Sequence, residues 1–145
     1  MLRKGRNAST DENMGKETIR KQRSKRATSF GKNVLIVEDD PDTAHTIQCV
    51  LAMEGYGARS VKNRDDAVEA ARHNLYQFVL MDYAMPGMSA EEFLTQVKRV
   101  SPVSTVVLIT AGTRARNVAR QLGVSNWIAK PFAPQELVAA LKTSA

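Results

Sequence analysis

Short apolar runs alternate with longer amphipathic stretches from residue 33 to the end of the chain. Five such pairs can be counted. This alternation is typical of βαβ units, which build a parallel sheet covered by helices. The apolar runs predict strands at residues 34–39, 56–60, 77–82, 105–110 and 126–129. The pattern therefore predicts an α/β fold with one five-stranded parallel sheet.

The predicted strands differ in hydrophobicity, and this difference predicts their places in the sheet. The second strand, residues 56–60, alternates between polar and apolar side chains and is the least hydrophobic, as expected for an edge strand. The third and fourth strands are continuous apolar runs. We therefore expect them to be central.

Capping residues and prolines mark the ends of two helices. Ser89, followed three residues later by Glu92, has the pattern of a capping box for the third helix, and Pro102 is expected to stop that helix. Pro134 suits the first turn of the last helix. Ala133 before it is a poor N-cap, at a cost of about 1 kcal/mol relative to Ser or Asp.

The length and composition limit the class of protein. A chain of 145 residues suffices for one core of ordinary size. It has no apolar run of the roughly 20 residues that a membrane span requires and no signal-peptide pattern, so we expect a soluble, cytoplasmic protein. The sole cysteine, Cys49, cannot form an internal disulfide, and we expect it to pack on the sheet as a small hydrophobe.

Residues 1–32 differ in charge from the rest of the chain. They contain ten Lys or Arg and three acids, for a net charge of +7, whereas residues 33–145 carry −1. The few apolar residues of this segment follow neither a helical nor a strand period. We therefore predict a disordered basic arm ahead of one domain over residues 33–145. A solvated tail explains the composition, and so does an arm that binds nucleic acid or anionic lipid by charge. Met14 offers an alternative start of the chain.

Acidic, hydroxyl and amine groups stand at the predicted ends of four strands. These residues are Glu38, Asp39, Asp82, Thr110 and Lys130. In a parallel sheet all such ends lie along one edge, and that carboxyl edge is where open α/β sheets bind ligands. We therefore expect these side chains to form one site.

The chemistry of this set points to phosphoryl transfer. Three neighbouring acids would raise one another's pKa values unless a cation lay among them, and Mg²⁺ prefers such oxygen ligands. If a phosphoryl group were attached to Asp82, Thr110 and Lys130 would offer a hydroxyl and an ammonium to its oxygens. The set is sufficient for Mg²⁺-dependent transfer of a phosphoryl group to an aspartate.

Four segments carry a resemblance to a known family. The sequences VLIVEDD, VLMDYAMPGM, VLITAG and WIAKPF occur in the order and near the spacing found in the receiver domain of two-component response regulators. The chain resembles this family over about residues 33–143. The resemblance implies a flavodoxin-like, doubly wound (βα)5 fold with the strand order 2-1-3-4-5.

The resemblance also implies which residues bind the phosphoryl group and the metal. Asp82 would be the phosphoacceptor. Asp39, Asp82 and the backbone carbonyl of Ala84 would ligate Mg²⁺ directly, and Glu38 would act through water.

The remaining roles implied by the resemblance concern the switch. Thr110 and Lys130 match the family's hydroxyl and lysine, and Trp127 falls at its aromatic switch position. The Lys130–Pro131 bond is usually cis in the family. The stretch between Thr110 and Trp127 is about two residues shorter than usual, so we expect a trimmed fourth helix or preceding loop.

Two further positions bear on the lifetime of the phosphorylated state. Ala84 and Gly112 occupy places that often tune hydrolysis in this family, and neither side chain can hold an attacking water. We therefore predict slow to moderate autodephosphorylation.

The predicted function is signalling by protein binding. The chain ends about where the fifth helix should end, so we expect a single-domain receiver that catalyses only its own phosphorylation and dephosphorylation. A histidine kinase or phosphotransfer protein would donate the phosphoryl group. Arg114, Arg116 and Arg120 suggest an acidic downstream partner, and an ordinary solvated helix face explains them equally well. Two alternatives stay open: an interaction module that does not use phosphorylation, and a phosphate sink for a shared kinase.

Overall fold

The structure, a computed structural model, describes residues 32–144. The predicted basic arm and the alternative start at Met14 lie outside the described residues, except for Lys32 at the arm's end. The Lys32 ammonium lies 4.8 Å from the centroid of the Tyr56 ring. Ala145 also lies outside the described residues.

Strands and helices alternate along the described part of the chain. The strands are β1 (Asn33–Val37), β2 (Gly57–Val61), β3 (Phe78–Asp82), β4 (Thr105–Ala111) and β5 (Asn126–Lys130). The helices are α1 (Pro41–Met53), α2 (Arg64–His73), α3 (Ala90–Val100), α4 (Ala115–Leu122) and α5 (Pro134–Ser144), with a 3₁₀ turn at Gly112–Arg114. Within residues 32–144, no helix combines the length and the apolar character that a membrane crossing requires.

The five strands form one parallel sheet in the order β2-β1-β3-β4-β5. This topology confirms the predicted doubly wound fold and its strand order. β2 lies at an edge, and β3 and β4 are internal, as their hydrophobicity predicted. β1 ends at Val37, two residues earlier than predicted, so that Glu38 and Asp39 lie just beyond the strand. β5 runs one residue further than predicted, to Lys130.

The core is divided by the sheet into two layers. Alternate residues of β1 point to opposite faces, so that Leu35 and Val37 join one layer while Val34 and Ile36 join the other. Helices α2, α3 and α4 cover the first layer, and α1 and α5 cover the second. Because both faces are covered, the internal strands are apolar on both sides, which explains their continuous apolar runs.

The capping prediction for α3 is confirmed in part. The Ser89 hydroxyl accepts a hydrogen bond from the Glu92 backbone N–H at 3.1 Å, which makes Ser89 the N-cap. The Glu92 carboxylate, however, accepts from the Gln96 side-chain amide at 2.7 Å, so that it pairs along the helix. The helix ends at Val100, before Pro102, as predicted.

The start of α5 is stabilised from within the helix. Pro134 is its first residue, as predicted. The Glu136 carboxylate accepts a hydrogen bond from the Ala133 backbone N–H at 2.6 Å. This bond satisfies one free donor at the helix start, where Ala133 has no side chain to do so.

The prediction for Cys49 was wrong, because the residue is exposed on α1. The buried stripe of α1 consists of Ala44, Ile47 and Leu51, which are spaced three and four apart. Cys49 lies two positions after Ile47 and therefore points away from that stripe. Its sulfur lies 3.5 Å from Nε2 of His45 on the solvent side.

The connection from β4 to β5 is short. β4 leads through the 3₁₀ turn directly into α4, which has eight residues. Gly123 ends this helix in the left-handed conformation, at φ 72°, where its N–H bonds to the preceding turn. This compact connection is consistent with the trimming expected from the sequence.

Candidate functional site

Three acids meet at the carboxyl edge of the sheet. Glu38 and Asp39 follow β1 directly, and Asp82 is the last residue of β3, the neighbour of β1. One carboxylate oxygen from each lies within 4.8 Å of the others. Glu38 is 4% exposed and Asp82 is 5% exposed, while Asp39 is exposed to solvent. The sheet thus brings three carboxylates together, two of them buried and one exposed to solvent.

The backbone after β1 holds Glu38 in place. The Glu38 N–H donates to the Val61 carbonyl at the end of β2, at 3.0 Å. The Glu38 carboxylate accepts from the Asp40 backbone N–H at 3.1 Å. Glu38 is therefore fixed on its main-chain and its side-chain side.

Asp40, the acid that follows Asp39, is the N-cap of α1. Its carboxylate accepts from the backbone N–H of Thr43 at 3.0 Å and from the Thr43 hydroxyl. These bonds from the Thr43 hydroxyl and N–H lower the pKa of Asp40. The third acid after β1 is thus committed to the helix start and not to the site.

A lysine from β5 reaches the buried acids. The Lys130 ammonium lies 3.2 Å from Oδ2 of Asp82 and 3.5 Å from Oε1 of Glu38. The Lys130–Pro131 peptide that follows is cis, as expected. Burial by itself lowers the pKa of Lys130, but the hydrogen bond and charge of Asp82, together with Glu38, raise it above its ordinary value. The side chain is therefore a protonated donor at neutral pH.

One ammonium does not balance three carboxylates. Burial raises the pKa of Glu38, and the charge of Asp82 adds to this effect, while the Asp40 N–H and Lys130 oppose it. A raised pKa means that the charged form of Glu38 is disfavoured in its surroundings. The site therefore has a surplus of negative charge that a cation would relieve.

The Asp82 carboxylate is held on both oxygens. Oδ2 faces the Lys130 ammonium, and Oδ1 accepts from the Ala84 backbone N–H at 3.2 Å. The Tyr83 N–H that lies between them donates to the Ile109 carbonyl of β4 at 2.8 Å. The carboxylate thus has a defined orientation at the start of the loop over residues 83–89.

Thr110 and Trp127 lie on the same face of the sheet. Thr110 is buried near the end of β4, while Trp127 is 37% exposed on β5. Trp127 pairs with Leu108, which precedes Thr110 by two residues, so that the alternation of strand side chains puts all three on one side. The two predicted switch residues therefore share one face of the sheet.

Arg64, which the sequence did not single out, is buried beside the loop after β3. Its guanidinium donates to the carbonyl oxygens of Asp82 at 3.0 Å, Tyr83 at 2.9 Å and Met88 at 2.7 Å. In the sequence, Arg64 stands between Asn63 and two aspartates, where an exposed helix start is expected. Backbone acceptors have no sequence signature, and no signal pointed to its burial.

Comparison with known proteins identifies the family. The family profile described as "Response regulator receiver domain" matches residues 34–142. The chain belongs to this family. Receiver domains of two-component systems are phosphorylated on an aspartate, bind Mg²⁺ in an acidic pocket and interact with histidine kinases or phosphotransfer proteins.

Curated relatives of this receiver domain include transcriptional regulatory proteins. The chain is 30% identical over 114 residues to the uncharacterized transcriptional regulatory protein YkoG of Bacillus subtilis, which covers 77% of the chain and 50% of YkoG. It is 31% identical over 117 residues to the phosphate regulon transcriptional regulatory protein PhoB of Escherichia coli, which covers 78% of the chain and 51% of PhoB. The receiver domain chain thus spans about half the length of these relatives.

Solved structures share the fold of this receiver domain. A CheY-like receiver domain protein from Methanospirillum hungatei superposes with a TM-score of 0.70 at 23% identity, covering 77% of the chain and 91% of that structure. A response regulator from Burkholderia pseudomallei, solved with a phosphorylated aspartic acid, a calcium ion and citrate, gives a TM-score of 0.69 at 27% identity. The latter match covers 77% of the chain and 67% of that structure.

Proposed function

We propose that this receiver domain accepts a phosphoryl group on Asp82 in a Mg²⁺-dependent reaction and signals by changing its affinity for another protein. The observation that carries the proposal is the position of the Asp82 carboxylate, buried between two further acids and the Lys130 ammonium. A histidine kinase or a phosphotransfer protein supplies the phosphoryl group. The protein acts in the cytoplasm, where kinases draw on ATP.

The residues at the site fit Mg²⁺. All the side-chain ligands are carboxylate oxygens, which this ion prefers, and the surplus negative charge favours a divalent cation. Asp39, Asp82 and the Ala84 carbonyl would hold the ion directly, and Glu38 would act through water. When bound, the ion neutralises charge on the acids and on the incoming phosphoryl oxygens.

The chemical step forms one bond and breaks another. An Asp82 carboxylate oxygen attacks phosphorus, and the bond from phosphorus to the donor breaks, so that the leaving group keeps the electron pair. The Lys130 ammonium, 3.2 Å from Asp82, and the Thr110 hydroxyl donate to the phosphoryl oxygens as their charge moves to this site. The Burkholderia relative, with its phosphorylated aspartic acid, supports the same chemistry here.

The signal passes through Thr110 and Trp127. A phosphoryl group on Asp82 draws the Thr110 hydroxyl toward it. This movement frees space on the face of the sheet that Thr110 shares with Trp127. The surface that changes includes α4, whose Arg116 and Arg120 are exposed, as is Arg114 before it. These three cations favour an acidic partner. Residues 33–145 form the receiver domain in this proposal, and the basic arm is not needed for phosphorylation.

The direct test is the intact mass of the full chain after incubation with Mg²⁺ and acetyl phosphate. We expect one phosphoryl adduct on the wild type and none on Asp82→Asn. Asp42→Asn changes an exposed acid on α1 and serves as the matched control, with an adduct like that of the wild type. The emission of Trp127, the sole tryptophan, should change with the adduct.

Two results would contradict the proposal. An adduct of equal yield on Asp82→Asn would place the phosphoryl group elsewhere. The absence of both Mg²⁺ binding and an adduct in the wild type would favour an interaction module that does not use phosphorylation.

The lifetime of the adduct is a separate prediction. After removal of the donor, the small residues Ala84 and Gly112 predict slow to moderate loss of the adduct, and a lifetime of seconds would contradict this prediction.

A further inference from the structure

Arg64 is a buried charge without a carboxylate partner. It is 3% exposed and is the only buried Lys or Arg among residues 32–144. In that same part of the chain, no carboxylate oxygen lies within 4.0 Å of its guanidinium. Its buried Nε has no hydrogen-bond partner there either. Burying such a group is costly, so the bonds that it does make must offset a large loss of hydration.

Those bonds go to Asp82, the last residue of β3, and to the loop that follows it. Nη2 donates to the carbonyl oxygens of Asp82 and Tyr83, and Nη1 donates to that of Met88. These acceptors lie at the two ends of the loop over residues 83–89, between β3 and α3. One planar group, fixed at the start of α2, thus holds both ends of the loop.

A single peptide unit connects Arg64 to the Asp82 carboxylate. The Tyr83 carbonyl and the Ala84 N–H belong to the same planar peptide. Arg64 holds the carbonyl side at 2.9 Å, and the N–H side donates to Oδ1 of Asp82 at 3.2 Å. Because the unit is rigid, fixing its carbonyl also fixes the direction of the N–H that orients the carboxylate.

We propose that Arg64 is a positioning residue that orients the Asp82 carboxylate through the Tyr83–Ala84 peptide. This inference rests on the proposed function, in which that carboxylate and the Ala84 carbonyl ligate Mg²⁺. Arg64 acts through the backbone and touches neither the metal nor the phosphoryl group. A lysine cannot replace it fully, since one ammonium cannot reach the acceptors of both Nη1 and Nη2.

The test uses the full chain and two substitutions at this position. Arg64→Met removes all three bonds and the charge, whereas Arg64→Lys keeps the charge and part of the bonding. Arg72→Met changes an exposed arginine on the same helix, whose ion pair with Glu69 is 3.6 Å long, and serves as the matched control.

Two quantities are measured for each variant, well below its melting temperature. The first is the affinity for Mg²⁺ alone, by calorimetric titration. We expect it to fall about 10- to 100-fold in Arg64→Met, the range seen when groups that orient metal ligands are removed, with a smaller loss in Arg64→Lys. The second is hydrogen exchange of the Ala84 amide in metal-free protein, which should be faster in both variants. Arg72→Met should match the wild type in both.

The outcomes separate a positioning role from a purely structural one. A lower melting temperature in Arg64→Met with Mg²⁺ affinity and Ala84 exchange unchanged would overturn the proposal. If Arg64→Met does not fold, the same criteria apply to Arg64→Lys. If the wild type itself binds no Mg²⁺, the proposed function fails, and Ala84 exchange alone then decides: faster exchange in Arg64→Lys supports the positioning role, and equal exchange overturns it.

Discussion

Polar groups are buried at both ends of the parallel strands: at the amino edge of the sheet, where the strands begin, and at the carboxyl edge, where they end. The two edges use these groups differently. At the amino edge, the hydroxyl of buried Ser101 lies 2.6 Å from that of Ser104, which donates to the Tyr76 carbonyl at 2.6 Å. This chain of bonds is neutral and ends on the backbone. At the carboxyl edge, buried Glu38 and Asp82 share one ammonium and keep a surplus of negative charge.

The difference shows what turns buried polarity into a binding site. A neutral network that uses its donors and acceptors internally stabilises the fold and leaves nothing for a ligand. A buried cluster with unbalanced charge costs stability until a ligand balances it. The same comparison predicts opposite effects of mutation: loss of stability without loss of function at the amino edge, and the reverse at the carboxyl edge.

The largest effect is expected for Lys130→Met. This change removes the donor that faces Asp82, so we expect the rate of adduct formation with acetyl phosphate to fall about 100-fold, as for other lost charge-stabilising donors. A time course of intact mass measures it. Lys142→Met alters an exposed lysine on α5 and should leave the rate unchanged. Equal rates for Lys130→Met and the wild type would remove Lys130 from the chemistry.

Glu38→Gln tests whether the charge surplus serves binding. We expect Mg²⁺ affinity to fall at least about tenfold, because Glu38 orients water on the ion in the proposed site. The free energy of unfolding of the metal-free protein should not fall, because the substitution removes a buried charge. Calorimetric titration and urea unfolding measure the two quantities. A clear loss of stability with unchanged affinity would reverse the roles of the two edges.

The same variant predicts a pH dependence in metal-free protein. Burial raises the pKa of Glu38 in the folded state above its ordinary value of 4.5. The folded protein therefore binds the Glu38 proton more tightly than the unfolded chain does. Glu38 makes the protein less stable as the pH rises from 4.5 to the raised pKa. Relative to the wild type, Glu38→Gln should gain stability as the pH rises above 4.5, until the pH has passed the raised pKa of Glu38. If Glu38→Gln instead lost stability relative to the wild type as the pH rose, the raised pKa of Glu38 would be contradicted.

Ser104→Ala tests the amino edge. It leaves the Tyr76 carbonyl and the Ser101 hydroxyl without their partner, which should lower the free energy of unfolding by about 1–3 kcal/mol. Mg²⁺ affinity and adduct formation should stay as in the wild type. Ser125→Ala, at an exposed position, is the control and should change neither. A loss of Mg²⁺ affinity in Ser104→Ala would show that the two edges are coupled.

The smallest effect is expected for Ser89→Ala. Ser89 caps α3 near the carboxyl edge but carries no charge, so its loss should cost about 1 kcal/mol of stability. Ser89→Asp keeps a capping oxygen and should be close to the wild type. Mg²⁺ affinity should be unaffected by Ser89→Ala. A large change in Mg²⁺ affinity would mean that the location of a residue at the carboxyl edge, and not its charge, determines its effect on metal binding.

The sequence predicted the parts of the site that topology determines. Parallel pairing puts the ends of β1, β3 and β5 on one edge whatever the details of packing, and the structure accordingly brings Glu38, Asp39 and Asp82 together with Lys130. The apolar runs sufficed to place β2 at an edge of the sheet and β3 and β4 inside it, because burial on both faces leaves a continuous hydrophobic signal.

Contacts that depend on tertiary packing could not be predicted in this way. Arg64 bonds only to backbone carbonyls, which every residue has, so its sequence neighbours do not distinguish it from an exposed arginine. Cys49 has apolar neighbours on both sides, and only the rotational position of α1 decides which of them face the sheet. The role of Asp40 as an N-cap depended on β1 ending at Val37.

The central claim is that the unbalanced charge at the carboxyl edge makes it the Mg²⁺-dependent phosphorylation site. Its most direct test is a residue-by-residue amide NMR map of the wild type, with Mg²⁺ and then with acetyl phosphate added. We predict saturable shifts at Asp39, Asp82 and Ala84 with Mg²⁺, extending to Trp127 after acetyl phosphate, while Ser101 at the amino edge is unchanged. No saturable shift at Asp82, or equal shifts at both edges, would contradict it.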